Sequence, residues 1–163
     1  MNGWNGKKRK RENMQIRAMM EADLPKVCAI EAENYSMPWS YDSFLDSLKD
    51  EKNVYIVAEE QGEILGYCGM WGVVGEGQIN NVSVSKKHQN KGVATALFQR
   101  FLEEGRKKGI KSFTLEVRES NAPAIAIYEK FHFQVAGIRK NFYERPVENA
   151  VIMWLNEEQS AIF

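Results

Sequence analysis

The chain has 163 residues, of which 44% are hydrophobic and 27% are charged, and its formal net charge at pH 7 is zero. This composition is typical of a globular protein and excludes a wholly disordered chain, while no segment reaches the roughly 18 apolar residues that a membrane-spanning helix requires. Five of the 22 basic residues lie between Lys7 and Arg11; without this run and Glu12, 17 basic and 21 acidic residues remain. Such a mildly acidic body does not favour general nucleic-acid binding, which requires a basic face.

The chain length predicts a single domain, because domains cluster around 100 to 150 residues. We assign residues 14–157 to this domain, residues 1–13 to a basic tail and residues 158–163 to a short C-terminal tail. The basic tail is typical of a solvated, disordered leader, with a localisation signal or an RNA-contacting arm as alternatives. We expect no secretory signal, because no apolar stretch follows the charges. Cys28 and Cys68 lack metal-ligand spacing and indicate core residues in a reducing compartment, so we expect a cytoplasmic protein.

The first half of the chain predicts two helices among four strands. Asp23 before Leu24 and Pro25 is a typical helix start, and Ser40 is a suitable N-cap for the next helix. Pro38 separates the two helices because it disfavours helical geometry at the preceding residue. The predicted elements are a strand from Met14 to Arg17, a helix with Val27, Ile30 and Tyr35 on its apolar side, a helix carrying Phe44, Leu45 and Leu48, and strands at Val54 to Ala58, Ile64 to Trp71 and Gln78 to Val84.

The second half continues with helices and strands in alternation. A helical period begins at Gly92 and ends near Gly109, which follows two lysines, as is typical of a helix C-terminus. Asn121 is a suitable N-cap for a further helix. The remaining predicted elements are a strand with Phe113, Leu115 and Val117 on one side, the helix through Ala124, Ile125 and Tyr128, and strands at Gln134 to Tyr143 and Ala150 to Leu155. This mixture predicts one sheet covered by helices.

The segment from Val82 to Thr95 carries the most chemical information, since it runs from a strand through a short loop into a helix start. The first N–H groups of a helix have no intrahelical partners and carry a partial positive charge, which makes the helix start a natural seat for a pyrophosphate. Glycine at position 92 lets phosphate oxygens approach the backbone. The loop is not a Walker motif, because Lys91 precedes Gly92, and G-x-G-x-x-G is absent. From the glycine alone, ordinary helix capping remains the main alternative.

The order Gln89-x-x-Gly92-x-Ala94 after a strand resembles the Q/R-x-x-G-x-G/A motif of the GNAT superfamily of N-acetyltransferases. The resemblance extends to one group within that superfamily, the RimI ribosomal-protein alanine N-acetyltransferases, and covers the chain from about Met14 to Leu155. The segments that carry it are Met37-Pro38-Trp39-Ser40, Leu115-Glu116-Val117-Arg118, Ser120-Asn121, Ala124-Ile125-Ala126-Ile127-Tyr128-Glu129 and Arg139 to Tyr143.

The resemblance implies an α/β (α+β) fold with a mixed, mostly antiparallel, splayed sheet of about seven strands and about four helices. It also implies acetyl-coenzyme A as cosubstrate and no metal. The residues it assigns to the cosubstrate are Val82, Ser83 and Val84 for the pantetheine; Gln89, Asn90, Lys91, Gly92, Val93, Ala94 and Thr95 for the pyrophosphate; and Asn121, which also suits a purely capping role.

The resemblance further implies Glu116 as the general base and Tyr128 as the acid that protonates the leaving thiolate. Spacing alone leaves Glu116 as an exposed strand residue and Tyr128 as a core aromatic. Trp39 and Tyr143 are the predicted acceptor contacts, with packing between two helices as the alternative for Trp39. The family's Leu-Gly-Phe is Phe131-His132-Phe133 here, so His132 stands where a left-handed glycine is usual, and Phe142 replaces a family tyrosine.

The predicted acceptor is the N-terminal α-amine of a protein, an alanine of a small-subunit ribosomal protein, attacked directly in a ternary complex. An α-amine with a pKa of about 7.8 is roughly a tenth neutral at pH 7, whereas a lysine amine with a pKa of about 10.4 is several hundredfold less so. A modest base therefore suffices for an N-terminal substrate. The alternatives are a lysine or small-amine acetyltransferase and a non-catalytic coenzyme A binding module, which would need neither Glu116 nor Tyr128.

Overall fold

A computed structural model describes residues 13–157. The basic tail, apart from Asn13, and the C-terminal tail from residue 158 lie outside the described residues. The strands are β1 (Met14–Ala18), β2 (Val54–Glu60), β3 (Glu63–Val73), β4 (Glu76–Val84), β5 (Ser112–Arg118), β6 (Gln134–Glu144) and β7 (Val147–Asn156). The helices are α1 (Leu24–Asn34), α2 (Tyr41–Leu48), α3 (Val93–Lys107) and α4 (Ala122–Lys130). No helix in this part of the chain is long and apolar enough to cross a membrane.

The seven strands of the described chain form one sheet in the order β1-β2-β3-β4-β5-β7-β6. Every neighbouring pair is antiparallel except β4 and β5, which are parallel. The β4–β5 pairing runs only from Glu76 opposite Ser112 to Ile79 opposite Leu115. Beyond this point β4 continues to Val84 and β5 to Arg118, so the two central strands diverge. The fold prediction of a mixed, mostly antiparallel, splayed sheet with four helices is confirmed.

Helices cover both faces of the sheet, and the alternation of side chains along β2 shows how the two cores divide. Ile56 and Ala58 belong to the core formed with α3 and α4, while Tyr55 and Val57 belong to the core formed with α1 and α2. The largest fully buried side chains include Phe98 on α3. Burying a side chain of that size stabilises the fold by about 1.5 to 3 kcal/mol. The two cores together hold the diverging ends of β4 and β5 in place.

Two of the three predicted side-chain caps form at helix starts. Ser40 Oγ accepts a hydrogen bond from Ser43 N–H at 3.1 Å, and Asn121 Oδ1 accepts from Ala124 N–H at 3.3 Å, so both caps are confirmed. Asp23 precedes α1 as expected, but its carboxylate does not cap that helix. It accepts from the Arg17 guanidinium at 2.7 Å and 2.8 Å instead, and this pairing holds the pKa of the Asp23 carboxyl below its usual range.

Two further expectations concern single residues at helix ends. His132 has φ 72°, so it does take the left-handed conformation that the family gives to glycine. Tyr35 does not belong to the apolar side of α1, because the helix ends at Asn34 and 40% of Tyr35 is exposed. Its ring turns toward the end of β4, which gives it a place in the site described next.

Candidate active site

A cleft of about 1030 Å³ opens where β4 and β5 diverge. Its walls come from the end of α1, the end of β4 with its following loop, the start of α3, the end of β5, α4 and the β6–β7 hairpin. Most of the predicted site residues line it together: Val82, Ser83, Val84, Gln89, Asn90, Gly92, Val93, Ala94, Thr95, Glu116, Asn121, Tyr128 and Tyr143. Lys91 and Trp39 are not among the lining residues, so their predicted contacts stay predictions.

The free edge of β4 supplies backbone groups to the cleft. Ser85 N–H donates to Leu65 C=O at 2.8 Å, and in an antiparallel pair the hydrogen-bonded residues alternate. Val82 and Val84 therefore direct their N–H and C=O groups away from β3, toward the gap beside β5. Backbone groups on a free strand edge can pair with an extended ligand, and the contact of Val82 and Val84 with pantetheine that the family resemblance implies stays a prediction.

Three side chains, from the end of α1, the residue after it and the β4–α3 loop, donate to the carbonyls of this edge. The Tyr35 hydroxyl donates to Val82 C=O at 2.8 Å. Val84 C=O accepts from Asn34 Nδ2 at 2.9 Å and from Gln89 Nε2 at 3.1 Å. Val84 C=O already accepts two hydrogen bonds and Val82 C=O accepts one, so the N–H groups are the part of this edge that is most open to a ligand. The edge of β4 is thus a row of donors, suited to a carbonyl oxygen or an oxyanion.

The start of α3 forms the opposite end of the cleft floor. Gly92 is the N-cap with φ 81°, and no side chain caps the helix. The first intrahelical bond runs from Ala96 N–H to Gly92 C=O at 3.2 Å, which leaves the preceding N–H groups of the first turn open. A Cβ added at Gly92 would meet no atom within 4 Å, so the left-handed backbone and not crowding demands glycine here. An uncapped helix start in a cleft is a suitable anion site.

Glu116 and Tyr128 face the cleft from different elements and in different environments. Glu116 is exposed on β5, opposite the core-facing Leu115, and its Oε1 lies 3.2 Å from Arg139 Nε. Tyr128 on α4 is only 7% exposed, and its ring packs on Phe98 with 5.2 Å between ring centres. The Tyr128 hydroxyl has no hydrogen-bond partner among residues 13–157. Burial raises the pKa of this phenol well above its usual value, which keeps it protonated.

The two predicted acceptor contacts differ in position. Tyr143 lines the cleft, with its ring beneath the Arg118 guanidinium at 4.3 Å and against Phe142 at 5.1 Å. Desolvation and the nearby Glu116 raise the pKa of Tyr143 to about 12. Trp39 instead packs on Phe44 and Trp71, with ring centres 5.4 Å and 5.8 Å apart. This is the packing alternative that the sequence left open.

The amino-acid sequence of this chain matches a known protein family. The model of the acetyltransferase (GNAT) family matches residues 16–133. This chain belongs to the GNAT family. It is therefore an acetyl-coenzyme A-dependent N-acetyltransferase, as the resemblance of Gln89, Gly92 and Ala94 predicted. Within residues 13–157 no group of three or more histidine, cysteine and acidic side chains is arranged to bind a metal ion.

Two curated GNAT relatives cover nearly the whole domain. The chain is 38% identical over 86% of its length to a putative ribosomal protein bS18-alanine N-acetyltransferase of Bacillus subtilis, of which 93% is covered. It is 32% identical over 86% of its length to the ribosomal protein bS18-alanine N-acetyltransferase of Escherichia coli, of which 95% is covered. The crystal structure of the ribosomal-protein-S18-alanine N-acetyltransferase from Escherichia coli superposes with a TM-score of 0.81, covering 88% of this chain and 93% of that one.

Several lining residues of this GNAT cleft were not predicted as site residues. Asn34 and Tyr35 come from the end of α1, Arg118 from the end of β5, and Arg145 and Pro146 from the β6–β7 hairpin. Tyr35 and Val82 are 47 positions apart in the chain, and no local spacing signals their contact. The short interruption between α1 and α2 was visible in the sequence, but its proximity to β4 depends on how α1 packs.

Proposed function

We propose that this protein transfers the acetyl group of acetyl-coenzyme A to the N-terminal α-amine of an alanine in a small-subunit ribosomal protein. The names of the Bacillus subtilis and Escherichia coli relatives support this acceptor. The observation that carries the reaction is the convergence, in one cleft, of an uncapped helix start, a strand edge of N–H donors, a carboxylate and a protonated phenol.

The donor occupies the side of the cleft formed by β4 and α3. The open N–H groups at the start of α3 bind the pyrophosphate, with Gly92 allowing close approach. The N–H groups of Val82 and Val84 bind the pantetheine and the thioester region. Gln89 contributes indirectly. Its side-chain amide donates a hydrogen bond to Val84 C=O, and this bond explains why glutamine stands at this position of the loop. Asn121 contributes chiefly as the cap that orients α4 toward this end of the cleft.

Glu116 is the base. The attacking amine must be neutral, and a carboxylate at the cleft wall accepts its proton, directly or through water. The Arg139 guanidinium lies 3.2 Å from the carboxylate and holds it in place, and it is exposed enough for an incoming ammonium group to displace it. A weak base is sufficient for an N-terminal amine, since the pKa of an α-amine is about 7.8 and roughly a tenth of it is neutral at pH 7.

The N–H groups on the β4 edge and Tyr128 complete the transfer. Donors fixed by the strand stabilise the negative charge that develops on the acetyl carbonyl oxygen, and they need no reorganisation during the reaction. As the carbon–sulfur bond breaks, the Tyr128 hydroxyl gives its proton to the thiolate. Burial favours the protonated phenol, so the acid is available at any physiological pH.

Transfer is direct, within a ternary complex. Neither cysteine lines the cleft: Cys28 lies on α1 outside the lining, and Cys68 is fully buried in the core, where burial raises the pKa of its thiol. A buried, protonated thiol is a poor nucleophile. The site therefore offers no acyl-enzyme route through cysteine.

We also propose that the reaction takes place in the cytoplasm, because the proposed acceptor is a ribosomal protein.

Steady-state acetylation of matched peptides tests the proposal. A peptide that begins with alanine and contains an internal lysine is compared with the same peptide carrying a blocked N-terminus. We expect turnover of the free peptide and at least a hundredfold slower turnover of the blocked one, given the difference in neutral amine that the two pKa values produce. Equal rates with the two peptides would show that lysine is the acceptor. If neither peptide caused release of coenzyme A, the protein would be a non-catalytic coenzyme A binding module.

A further inference from the structure

Arg118 at the end of β5 connects the central sheet to the β6–β7 hairpin. Its Nη1 donates to Pro146 C=O at 3.0 Å, its Nη2 donates to Arg145 C=O at 3.3 Å, and its Nη1 pairs with Glu148 Oε2 at 3.2 Å. The face of the guanidinium covers the Tyr143 ring at 4.3 Å. A single side chain therefore contacts four successive parts of the hairpin.

The pairing of β6 and β7 is interrupted near the tip of the hairpin. The register shifts between Arg139 and Tyr143, so residues 140–142 lack backbone ladder partners, and Asn141 N–H donates instead to the Asn149 side chain at 3.0 Å. Pairing resumes only at Tyr143 opposite Glu148 and Glu144 opposite Val147. A bulge of this kind bends the strand and leaves the ladder hydrogen bonds there unmade, so the tip is tied to the sheet by fewer backbone contacts. Tyr143 lies on the tip side of the bulge. Contacts that hold the tip, such as those of Arg118, therefore also set the position of Tyr143.

Glu148 holds Arg118 in the required orientation. Its Oε1 accepts from Ser120 N–H at 2.6 Å while its Oε2 pairs with the guanidinium, and only 17% of its side chain is exposed. The carboxylate thus joins β7 to the turn after β5. It restricts Arg118 to the rotamer in which one face of the guanidinium plane meets the Tyr143 ring.

We propose that Arg118 is a positioning residue for the acceptor: it fixes the hairpin wall and Tyr143 against the sheet, so that the incoming polypeptide meets a preformed surface opposite Glu116. This inference rests on the proposed function. Lysine cannot replace arginine in this role, because two carbonyls, a carboxylate and an aromatic face require the planar fork of the guanidinium. The donor side of the cleft, formed by β4 and α3, does not depend on it.

The test is a comparison of Michaelis constants for the two substrates in Arg118→Lys. We expect the KM for the alanine peptide to rise about tenfold, the loss that follows from breaking hydrogen bonds to a charged group, while the KM for acetyl-coenzyme A stays unchanged. Glu148→Gln, which does not alter the Arg118 side chain itself, shifts the peptide KM in the same direction. Arg100→Lys, in an exposed pair with Glu104 on α3, is the matched control and leaves both constants unchanged.

A double-mutant cycle separates positioning from a general loss of stability. In a Tyr143→Leu background the aromatic ring that Arg118 positions is absent. Arg118→Lys should therefore raise the peptide KM less than it does in the wild type, so that the effects of the two substitutions are not additive. Full additivity, or equal changes in both KM values, would overturn the proposal. If the wild-type protein fails to acetylate the peptide while binding acetyl-coenzyme A, the proposed acceptor is wrong instead. Acetyl-coenzyme A affinity, measured by calorimetry, reports whether each variant is folded.

Discussion

The Tyr35 hydroxyl donates a hydrogen bond to the Val82 carbonyl at 2.8 Å, and through it the end of α1 holds the free edge of β4. Val82 lies three residues beyond Ile79, the last β4 residue that pairs with β5, so no neighbouring strand fixes it on that side. The contact fixes Val82 at the wall of the cleft, on the strand edge that we propose binds the donor.

Tyr35→Phe is therefore expected to weaken acetyl-coenzyme A binding and lower kcat severalfold, the effect of one lost hydrogen bond of about 1 kcal/mol. Tyr41→Phe is the matched control, because Tyr41 is 41% exposed, as Tyr35 is 40% exposed, but does not line the cleft. Calorimetry gives the affinity and initial rates give kcat. Equal behaviour of the two variants would show that the Tyr35 contact has no functional role.

Glu116→Gln is expected to lower kcat by about 10² to 10⁴, the usual contribution of a general base, and to leave acetyl-coenzyme A affinity unchanged. The substitution preserves shape and removes the negative charge, and with it both the proton acceptor and the ion pair with Arg139. Glu119→Gln alters an exposed carboxylate just beyond β5 and serves as the control. A Glu116→Gln variant with wild-type kcat would contradict the assignment of the base.

The buried phenol of Tyr128 predicts a specific pH dependence. Because its pKa in the folded state is raised by burial, the hydroxyl stays protonated above pH 10, where a solvated tyrosine ionises. We expect kcat to show no fall below about pH 10 that is due to this group, and Tyr128→Phe to lower kcat at every pH. A falling limb near pH 9 to 10 that disappears in Tyr128→Phe would contradict this environment.

The same shift affects stability with a defined sign. A group whose pKa is raised on folding contributes stability below its unfolded pKa, here about 10, and that contribution is lost as pH rises further. Thermal unfolding between pH 9 and 11 should therefore be less pH-dependent in Tyr128→Phe than in the wild type. An identical pH dependence of the two proteins would mean that the phenol is solvated.

Gly92→Ala separates the conformational role of this glycine from its role at the anion site. Gly92 and Gly62 both have positive φ, 81° and 79°, and neither has an atom within 4 Å of an added Cβ. Each alanine variant should lose about 1 kcal/mol from left-handed strain, a fall in Tm of roughly 2 to 4 °C. Only Gly92→Ala should also weaken acetyl-coenzyme A binding, since Gly62 lies in the β2–β3 turn. Equal affinity of both variants for acetyl-coenzyme A would show that the start of α3 does not belong to the donor site.

The predictable part of this molecule is the part that local chemistry determines. Ser40 and Asn121 each place an acceptor before a helix, and both cap as expected. The motif around Gly92 combines a strand, a loop and a helix start within 14 residues, and its resemblance to the GNAT motif predicted the family, whereas the glycine alone left ordinary capping open.

The unpredicted part depends on contacts between distant segments. Asp23 has the residue type and position of a cap, yet Arg17 on β1 takes its carboxylate. Arg118 looks like an exposed strand residue until the hairpin, 28 positions on, folds over it. For Trp39 the sequence left open an acceptor contact or packing; the residue packs on Phe44 and Trp71, and its acceptor contact stays a prediction. None of these partners can be identified from spacing.

The central claim is that a protein α-amine attacks acetyl-coenzyme A directly in this cleft, with the carboxylate of Glu116 accepting the proton of the amine. The most direct measurement is tandem mass spectrometry of one peptide that carries both a free N-terminal alanine and an internal lysine, after incubation with acetyl-coenzyme A and either wild type or Glu116→Gln. We predict acetyl on the alanine amine alone with the wild type and almost none with the variant. Acetyl on the lysine, or equal N-terminal acetylation by both proteins, would contradict it.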